Sequence, residues 1–298
     1  MMTYGEAYRE GMQILKNAGI EAPANDAGVL LCHAAGCDRT YLYAHGSEPL
    51  DAGIGRAYHG LLMKRAEGQP LQYLTGVQEF MSLMFRTNPS VLIPRQDTEL
   101  LVEVVLDFCR RTNEGSIQNI LDMCTGSGCI AVSLAYHYPR CRVTASDIMP
   151  DALETASGNA RRNGVADRVL FIESDLFSNI TGTGFDVIVS NPPYIRTGDL
   201  PGLQREVRDF EPVEALDGGA DGLRFYRAII DAAPLYLKSG GLLALETGYD
   251  QAAEVAGLIA GDGRYYNIKV YKDLAGVDRA VAANVITLVQ EAPESHHP

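Results

Sequence analysis

The chain has 298 residues, 46% of them hydrophobic, which is more than one core usually holds and enough for two. Thirty-eight acidic residues against 25 basic ones give a net charge of −13, which argues against a protein that gains affinity by neutralising nucleic-acid phosphates over a basic face. No apolar run approaches a bilayer span, no charged-then-apolar leader opens the sequence, and the six cysteines include no CxxC pair; the expectation is a cytoplasmic chain with buried free thiols and no metal site.

Thr3 to Ala18 carries apolar residues at helical spacing and stops at Gly19. Asn25-Asp26 is placed to cap the run Ala27 to Ala35, which stops at Gly36. Asp51 to Glu67 sets Ile54, Tyr58, Leu61 and Leu62 on one face before Gly68. These patterns predict an N-terminal helical domain over 1–72, with Tyr41 and Tyr43 as candidates on a docking face. From about residue 71 the chain reads as extended, and 73–94 is assigned to a β-hairpin linker: Phe80 to Thr87, then Asn88-Pro89-Ser90, then Val91 to Ile93. A helix capped near Asp97 or Thr98 follows.

From 95 to 292 strands and helices alternate, the pattern of a doubly wound parallel sheet with helices on both faces. Asn119 to Ala131 is an apolar strand running into glycines and then a helical pattern. Gly126 and Gly128 permit a tight turn and close approach of a ligand to the backbone, so Cys124, Thr125, Gly126, Ser127 and Gly128 form a candidate cofactor loop. Asp122, at the strand end, could receive the ammonium of an amino-acid cofactor or the loop amides. Asp147 ends the strand Arg142 to Ser146, where it could accept from both ribose hydroxyls. Asp175 and Leu176 follow Val169 to Ile172, placed for an adenine amino group and ring. The spacing Gly126-x-Gly128-x-x-Ala131 with Asp147 also satisfies the dinucleotide fingerprint, so a nicotinamide dehydrogenase stands as a competitor. Arg161-Arg162 reads as a solvated helix face. Tyr265 to Tyr271 and Ala280 to Val289 are strands with no helix between them, an antiparallel closing pair. Residues 293–298, with His296-His297, form a solvated tail.

The most informative segment is Asn191-Pro192-Pro193-Tyr194, reached directly from the β-branched run Phe185 to Ser190. The Asn191 side-chain carbonyl and the Pro192 backbone carbonyl can accept both N–H bonds of a planar NH2 group, whose delocalised lone pair attacks poorly unless it is aimed. Tyr194 can stack on the flat group, and the prolines fix the turn before substrate arrives. The chemistry suited to this arrangement is methylation of a carboxamide or exocyclic amine, with S-adenosylmethionine as donor and S-adenosylhomocysteine as product. Glu99 and Glu246 could orient loops or bind the methionine amine, and stay outside the catalytic set.

With these segments the chain closely resembles the release-factor glutamine methyltransferases (the HemK or PrmC family) over nearly its whole length. The resemblance includes Pro70-Leu-Gln-Tyr-Leu-Thr-Gly76, Val91-Leu-Ile-Pro-Arg95, Thr98-Glu99, the glycine loop, the turn at 191–194, Glu211-Pro212, Leu216-Asp-Gly-Gly219, Asp221-Gly-Leu223, Leu245-Glu-Thr-Gly248 and Lys272-Asp-Leu274. The Asn-Pro-Pro-Tyr turn alone is shared with DNA adenine-N6 methyltransferases and ribosomal-protein glutamine methyltransferases, and the flanking segments favour the release-factor family. Two positions depart from its pattern: the first glycine-loop position, often Gly, is Cys124, and the usual Arg-Pro-Glu-Thr-Glu reads Arg95-Gln-Asp-Thr-Glu99. The resemblance implies a class I methyltransferase (Rossmann-like) α/β sheet whose final strand inserts into the sheet, a small N-terminal helical domain and the hairpin linker. It also implies N5-methylation of the glutamine in the Gly-Gly-Gln loop of class I peptide chain release factors, by a monomer that touches neither nucleic acid nor membrane. A cofactor-binding scaffold with a vestigial pocket is the non-catalytic alternative.

Overall fold

The computed structural model describes residues 2–112 and 116–286. Two compact units divide the chain: one runs to Gln78 and includes Thr87–Pro89 and Gly202–Glu211, and the other comprises Glu79–Arg86, Ser90–Pro201 and the chain from Pro212 on.

In the first unit α1 (Tyr4–Asn17), α2 (Pro23–Ala35), α3 (Arg39–Ala44), α4 (Ala52–Ala66) and α5 (Leu71–Thr75) follow one another. Thr3 caps α1 by accepting from the Glu6 amide at 3.2 Å while the Glu6 carboxylate accepts from the Thr3 amide at 2.8 Å, a closed capping box. Asp51 caps α4 through the amides of Gly53 and Ile54. Leu15, Leu30, Leu31, Tyr58 and Leu62 form the core of this unit. The expected cap at Asn25-Asp26 is not the cap: α2 starts at Pro23, whose fixed φ and missing N–H suit the first helical position. Asp26 instead lies inside the helix, buried, and accepts from Arg65 Nε at 2.8 Å, while Arg65 Nη2 donates to Glu206 at 2.6 Å. The expected extension from residue 71 is first interrupted by α5, which ends where Gly76 takes a left-handed backbone.

The hairpin β1 (Val77–Phe80) and β2 (Leu83–Arg86) turns at Met81 and Ser82, both at positive φ. Glu99 answers the question left by its sequence position: its carboxylate accepts from the Met81 amide at 2.6 Å, so it holds this turn.

The second unit contains α6 (Glu99–Thr112), reached through a 3-10 turn over Gln96–Thr98, then β3 (Gln118–Met123), α7 (Cys129–His137), β4 (Cys141–Asp147), α8 (Pro150–Arg162), β5 (Val169–Glu173) and β6 (Phe185–Ser190). After β6 the chain lends α9 (Arg205–Phe210) to the first unit and continues with α10 (Arg224–Ala232), β7 (Leu237–Glu246), α11 (Ala252–Asp262), β8 (Tyr265–Lys272) and β9 (Asp278–Val285). The sheet order is β5-β4-β3-β6-β7-β9-β8, with β3 to β7 parallel and β9 antiparallel to both neighbours. The last strand therefore does insert between β7 and β8, as a class I methyltransferase sheet requires. Positions 287–289 of the expected strand, and the tail, lie outside the described residues.

Side chains alternate across this sheet: Ile120, Val187 and Val189 enter one core, Leu121, Ile188 and Leu243 the other. Central strands buried on both faces explain the near-continuous apolar runs. Strand order reverses between β3 and β6, and the crevice beyond the carboxyl ends at such a switch point is where doubly wound sheets bind ligands. The glycine loop leaves β3 there, and the Asn191–Tyr194 turn leaves β6. Among the described residues no helix is long and apolar enough to cross a membrane and no cluster of metal-ligating side chains occurs. Arg161 and Arg162 are exposed, as expected, and none of the cysteines is bonded to another.

Candidate active site

The loop after β3 is held from beneath by Asp122. Its Oδ2 accepts from the Thr125 hydroxyl at 2.5 Å and the Ala131 amide at 3.1 Å, so of the two partners the sequence allowed it, loop groups are the ones in place. Asp122 is fully buried, and that burial pushes its pKa up to about 7 against the pull of those two hydrogen bonds. Cys124, Gly126 and Gly128 all have positive φ. At Gly128 a side chain would also fail on space, since a Cβ would lie 2.9 Å from that of Ala156.

Asp147, at the end of β4, accepts from the Gly126 amide at 2.8 Å through Oδ2 and from the Met149 amide at 3.0 Å through Oδ1. One lone pair on each oxygen is thus spent on shaping the loops and one remains. Burial raises its pKa above the usual range, while these backbone bonds oppose the shift. Beyond β5, Leu176 has a left-handed backbone held by the Ser174 hydroxyl, which donates to the Leu176 carbonyl at 2.7 Å.

A cavity of about 350 Å³ opens between these loops. Of the residues expected at the site, Cys124, Gly126, Asp147, Asp175, Leu176, Asn191 and Pro193 line it, whereas Asp122, Thr125, Ser127, Gly128, Pro192 and Tyr194 do not border it. Its charged lining is Asp147, Asp175, Glu214 and Asp217 against the single guanidinium of Arg224. An acidic wall of this kind repels a pyrophosphate and suits a ligand carrying a sulfonium and an ammonium, which weighs against the dinucleotide reading of the glycine loop.

The turn after β6 is held mainly by side chains. Ser190 donates to the Met123 carbonyl at 2.7 Å, tying the ends of β6 and β3 together. Asn191 Nδ2 donates to Thr98 Oγ1 at 3.3 Å. Pro192 and Pro193 are buried, and Tyr194 is half-buried with its hydroxyl 3.5 Å from Glu246 Oε1. Gln251 Nε2 donates to the Tyr194 carbonyl at 2.9 Å, while its own oxygen accepts from the Gly248 amide. Behind the turn Gly218 packs so tightly that a Cβ there would stand 2.7 Å from Tyr194 Cα. Glu246 is buried, which pushes its pKa up to about 7; Asp97 adds to the shift, and Thr98, Arg279 and Asn191 oppose it.

Thr98, Glu214, Gln251 and Gly218 are additions to the residues expected from sequence. Leu216–Gly219 was visible only as a family segment, and Leu245–Gly248 as one in which Glu246 alone had a candidate task; the fold pairs the first with Ile195–Thr197 and brings Glu246 of the second to the Tyr194 hydroxyl.

The chain is 46% identical over 282 residues to the release factor glutamine methyltransferase of Moorella thermoacetica, covering 95% of this chain and 98% of that one. It belongs to the release factor glutamine methyltransferase family. The family member from Geobacter sulfurreducens is 44% identical, covering 91% of this chain and 93% of its own. The description "PrmC N-terminal domain" matches residues 6–76, and "Methyltransferase small domain" matches 96–202, so the second match holds both the glycine loop and the Asn191–Tyr194 turn. Among solved structures the chain is similar to a release-factor-specific protein-(glutamine-N5) methyltransferase from Alicyclobacillus acidocaldarius, 34% identical, covering 68% of this chain and 100% of that one with a TM-score of 0.42.

Proposed function

We propose that this chain transfers a methyl group from S-adenosylmethionine to the side-chain amide nitrogen (N5) of the glutamine in the Gly-Gly-Gln loop of class I peptide chain release factors. The observation that carries the reading is Asn191 at the edge of an acidic cavity, its amide nitrogen turned to Thr98 so that its oxygen is left to accept.

The loop from Asp122 to Gly128, with Asp147, Asp175 and Leu176, would hold the donor, Asp147 by the lone pairs its backbone bonds leave over. When bound, S-adenosylmethionine supplies an electrophilic methyl that the amide nitrogen takes as the carbon–sulfur electron pair returns to sulfur, leaving S-adenosylhomocysteine. Asn191 Oδ1 and the Pro192 carbonyl accept the two N–H bonds of the substrate amide and aim its lone pair, and Tyr194 lies against its flat face. The buried prolines set this geometry in advance, so the entropy of aligning the nitrogen is not lost at the moment of reaction. The nitrogen becomes acidic once the new bond forms, and its proton leaves to water without a dedicated base.

The substrate is a protein loop, and the exposed Tyr41 and Tyr43 of the first unit are candidates for its docking face. This reading has the enzyme act as a cytoplasmic monomer without contact to nucleic acid or membrane. The test is methyl transfer from labelled S-adenosylmethionine to a purified class I release factor, beside its Gly-Gly-Gln→Gly-Gly-Ala variant, ribosomal proteins and duplex DNA. Label confined to the wild-type factor is expected. Label on ribosomal protein or DNA, or equal label on both factors, would keep the nitrogen pocket and overturn its substrate; no transfer to any of them would favour a non-catalytic scaffold.

A further inference from the structure

A primary amide can present either its oxygen or its nitrogen to a ligand, and the two states differ by a half-turn about one bond. The proposed function, on which this inference rests, requires the oxygen of Asn191. We propose that Glu246, acting through Thr98, is the positioning residue that fixes this choice.

Asn191 Nδ2 donates to Thr98 Oγ1 at 3.3 Å. A hydroxyl that accepts there keeps its own hydrogen to donate, and the carboxylate of Glu246 lies beside it, its pKa pulled down by side-chain hydrogen bonding from both Thr98 and Asn191. An ionised carboxylate only accepts. The chain from Asn191 N–H through Thr98 O–H to Glu246 therefore runs in one direction, with the Asn191 oxygen left facing the substrate. In the opposite direction Asn191 would set its NH2 against the NH2 of the substrate amide, donor against donor.

The carboxylate has capacity for this task. Thr98 and Glu246 are each 2% exposed, Glu246 Oε2 has no hydrogen bond of regular geometry among the described residues, and the contact from Tyr194 to Oε1 is long, at 3.5 Å. Tyr226 spends its hydroxyl on the Glu246 backbone carbonyl at 2.9 Å and leaves the carboxylate alone. The other charged or titratable groups facing Glu246 are Asp97 from the 3-10 turn, Arg279 from β9, Tyr194 from the turn, Tyr226 from α10 and Cys129 from α7. Arg279 is itself paired with Asp97 at 3.2 Å and Asp273 at 3.3 Å.

Burial pushes the Glu246 pKa up to about 7. The carboxylate form is thus present above that pH and lost as pH falls through it. A protonated Glu246 can donate, and the chain then has no fixed direction.

The test compares single-turnover methyl transfer to the release factor, its pH profile and S-adenosylmethionine affinity for the wild type, Glu246→Gln, Thr98→Val and Thr98→Ser. We expect Glu246→Gln and Thr98→Val to slow transfer by roughly 10- to 100-fold, as loss of an orienting outer partner does elsewhere, with cofactor affinity within about twofold of wild type. Thr98→Ser should restore most of the rate, and the acid limb near neutrality should vanish in Glu246→Gln. If Glu246→Gln does not fold, the Thr98 pair decides. Wild-type rates in Thr98→Val, failure of Thr98→Ser to recover, or an acid limb surviving in Glu246→Gln would overturn the inference while the substrate stands. A wild-type enzyme that does not label the release factor overturns the substrate reading and this inference with it.

Discussion

The loop after β3 and the turn after β6 sit at the same switch point and are built by opposite means. The loop is shaped through its backbone: Cys124, Gly126 and Gly128 stand at positive φ, and the amides of Ala131, Gly126 and Thr125 donate to Asp122, Asp147 and the Ser146 carbonyl. The turn is shaped through side chains: two prolines, Asn191 on Thr98, Tyr194 at Glu246, and Gln251 bracing the exit. A surface that cradles a cofactor needs close approach and amide geometry, which many sequences supply. A surface that must present one acceptor in one direction needs particular side chains. On the proposed function, this is why a glycine loop says little about the reaction and Asn-Pro-Pro-Tyr points to a planar nitrogen, with the flanking segments left to favour the family.

The largest expected effect lies on the side-chain half. Asn191→Ala removes an acceptor for the substrate N–H and should cut kcat by about 10²-fold or more, in line with loss of a polar transition-state contact. Its affinity for S-adenosylmethionine should stay near that of the wild type, because the loop is intact. Unchanged turnover in the folded variant would remove Asn191 from the reaction and break the comparison. Next is Asp147→Ala, which deletes two backbone ties and a charge-assisted acceptor worth about 1.5–3 kcal/mol. Calorimetry should show S-adenosylmethionine binding weakened by roughly 10- to 100-fold; full affinity would mean that the acidic wall does not face the cofactor.

The same contrast governs what could be read from the sequence. The central strands were legible because burial on both faces forces β-branched runs, and the closing pair because no helical pattern separates β8 from β9. The turn was legible because, on the proposed function, its work is done by residue identity. α2 starts earlier than local rules place it because Asp26, a plausible cap by those rules, is claimed by Arg65 far along the chain. Thr98, Glu246 and Gln251 carry no shared local signal: they reach the turn from a 3-10 turn, a strand end and a helix entry, brought together only by strand order. Glu99 carried two candidate roles, orienting a loop or binding the methionine amine, and nothing local chose between them; the hairpin turn that folds against it shows the first.

Asp122 tests whether the loop's buried anchor is costly. Its folded pKa, about 7, lies above the ordinary value of 3.8. The folded protein therefore keeps a proton that the unfolded chain has released, and this stabilisation is lost as pH rises through about 7. Between roughly pH 5.5 and pH 8 the loss should be about 2 kcal/mol. Asp122→Asn should lack that share of the slope, so its Tm should fall less than that of the wild type across the window. Glu246 has the same sign and leaves its own slope in the variant. Parallel Tm curves for the two proteins would show that Asp122 is not the titrating anchor.

The smallest effect is the sharpest test of the comparison. Cys124 stands where the family often has Gly and holds φ at 59°, a left-handed backbone that costs a non-glycine residue about 1–2 kcal/mol. Cys124→Gly relieves that strain, but glycine gives back roughly 0.5–1 kcal/mol through the greater freedom of the unfolded chain, and the contacts of the half-buried thiol are lost. Stability should therefore move by no more than about 0.5 kcal/mol, and cofactor affinity by less than about twofold, because the loop works through amides that both residues carry. Cys124→Val keeps an apolar side chain but adds β-branching at positive φ, and it should lower stability by more than about 1 kcal/mol. If glycine weakened cofactor binding and valine did not, the Cys124 side chain would be part of the site, and the loop would belong with the turn among surfaces specified by residue identity.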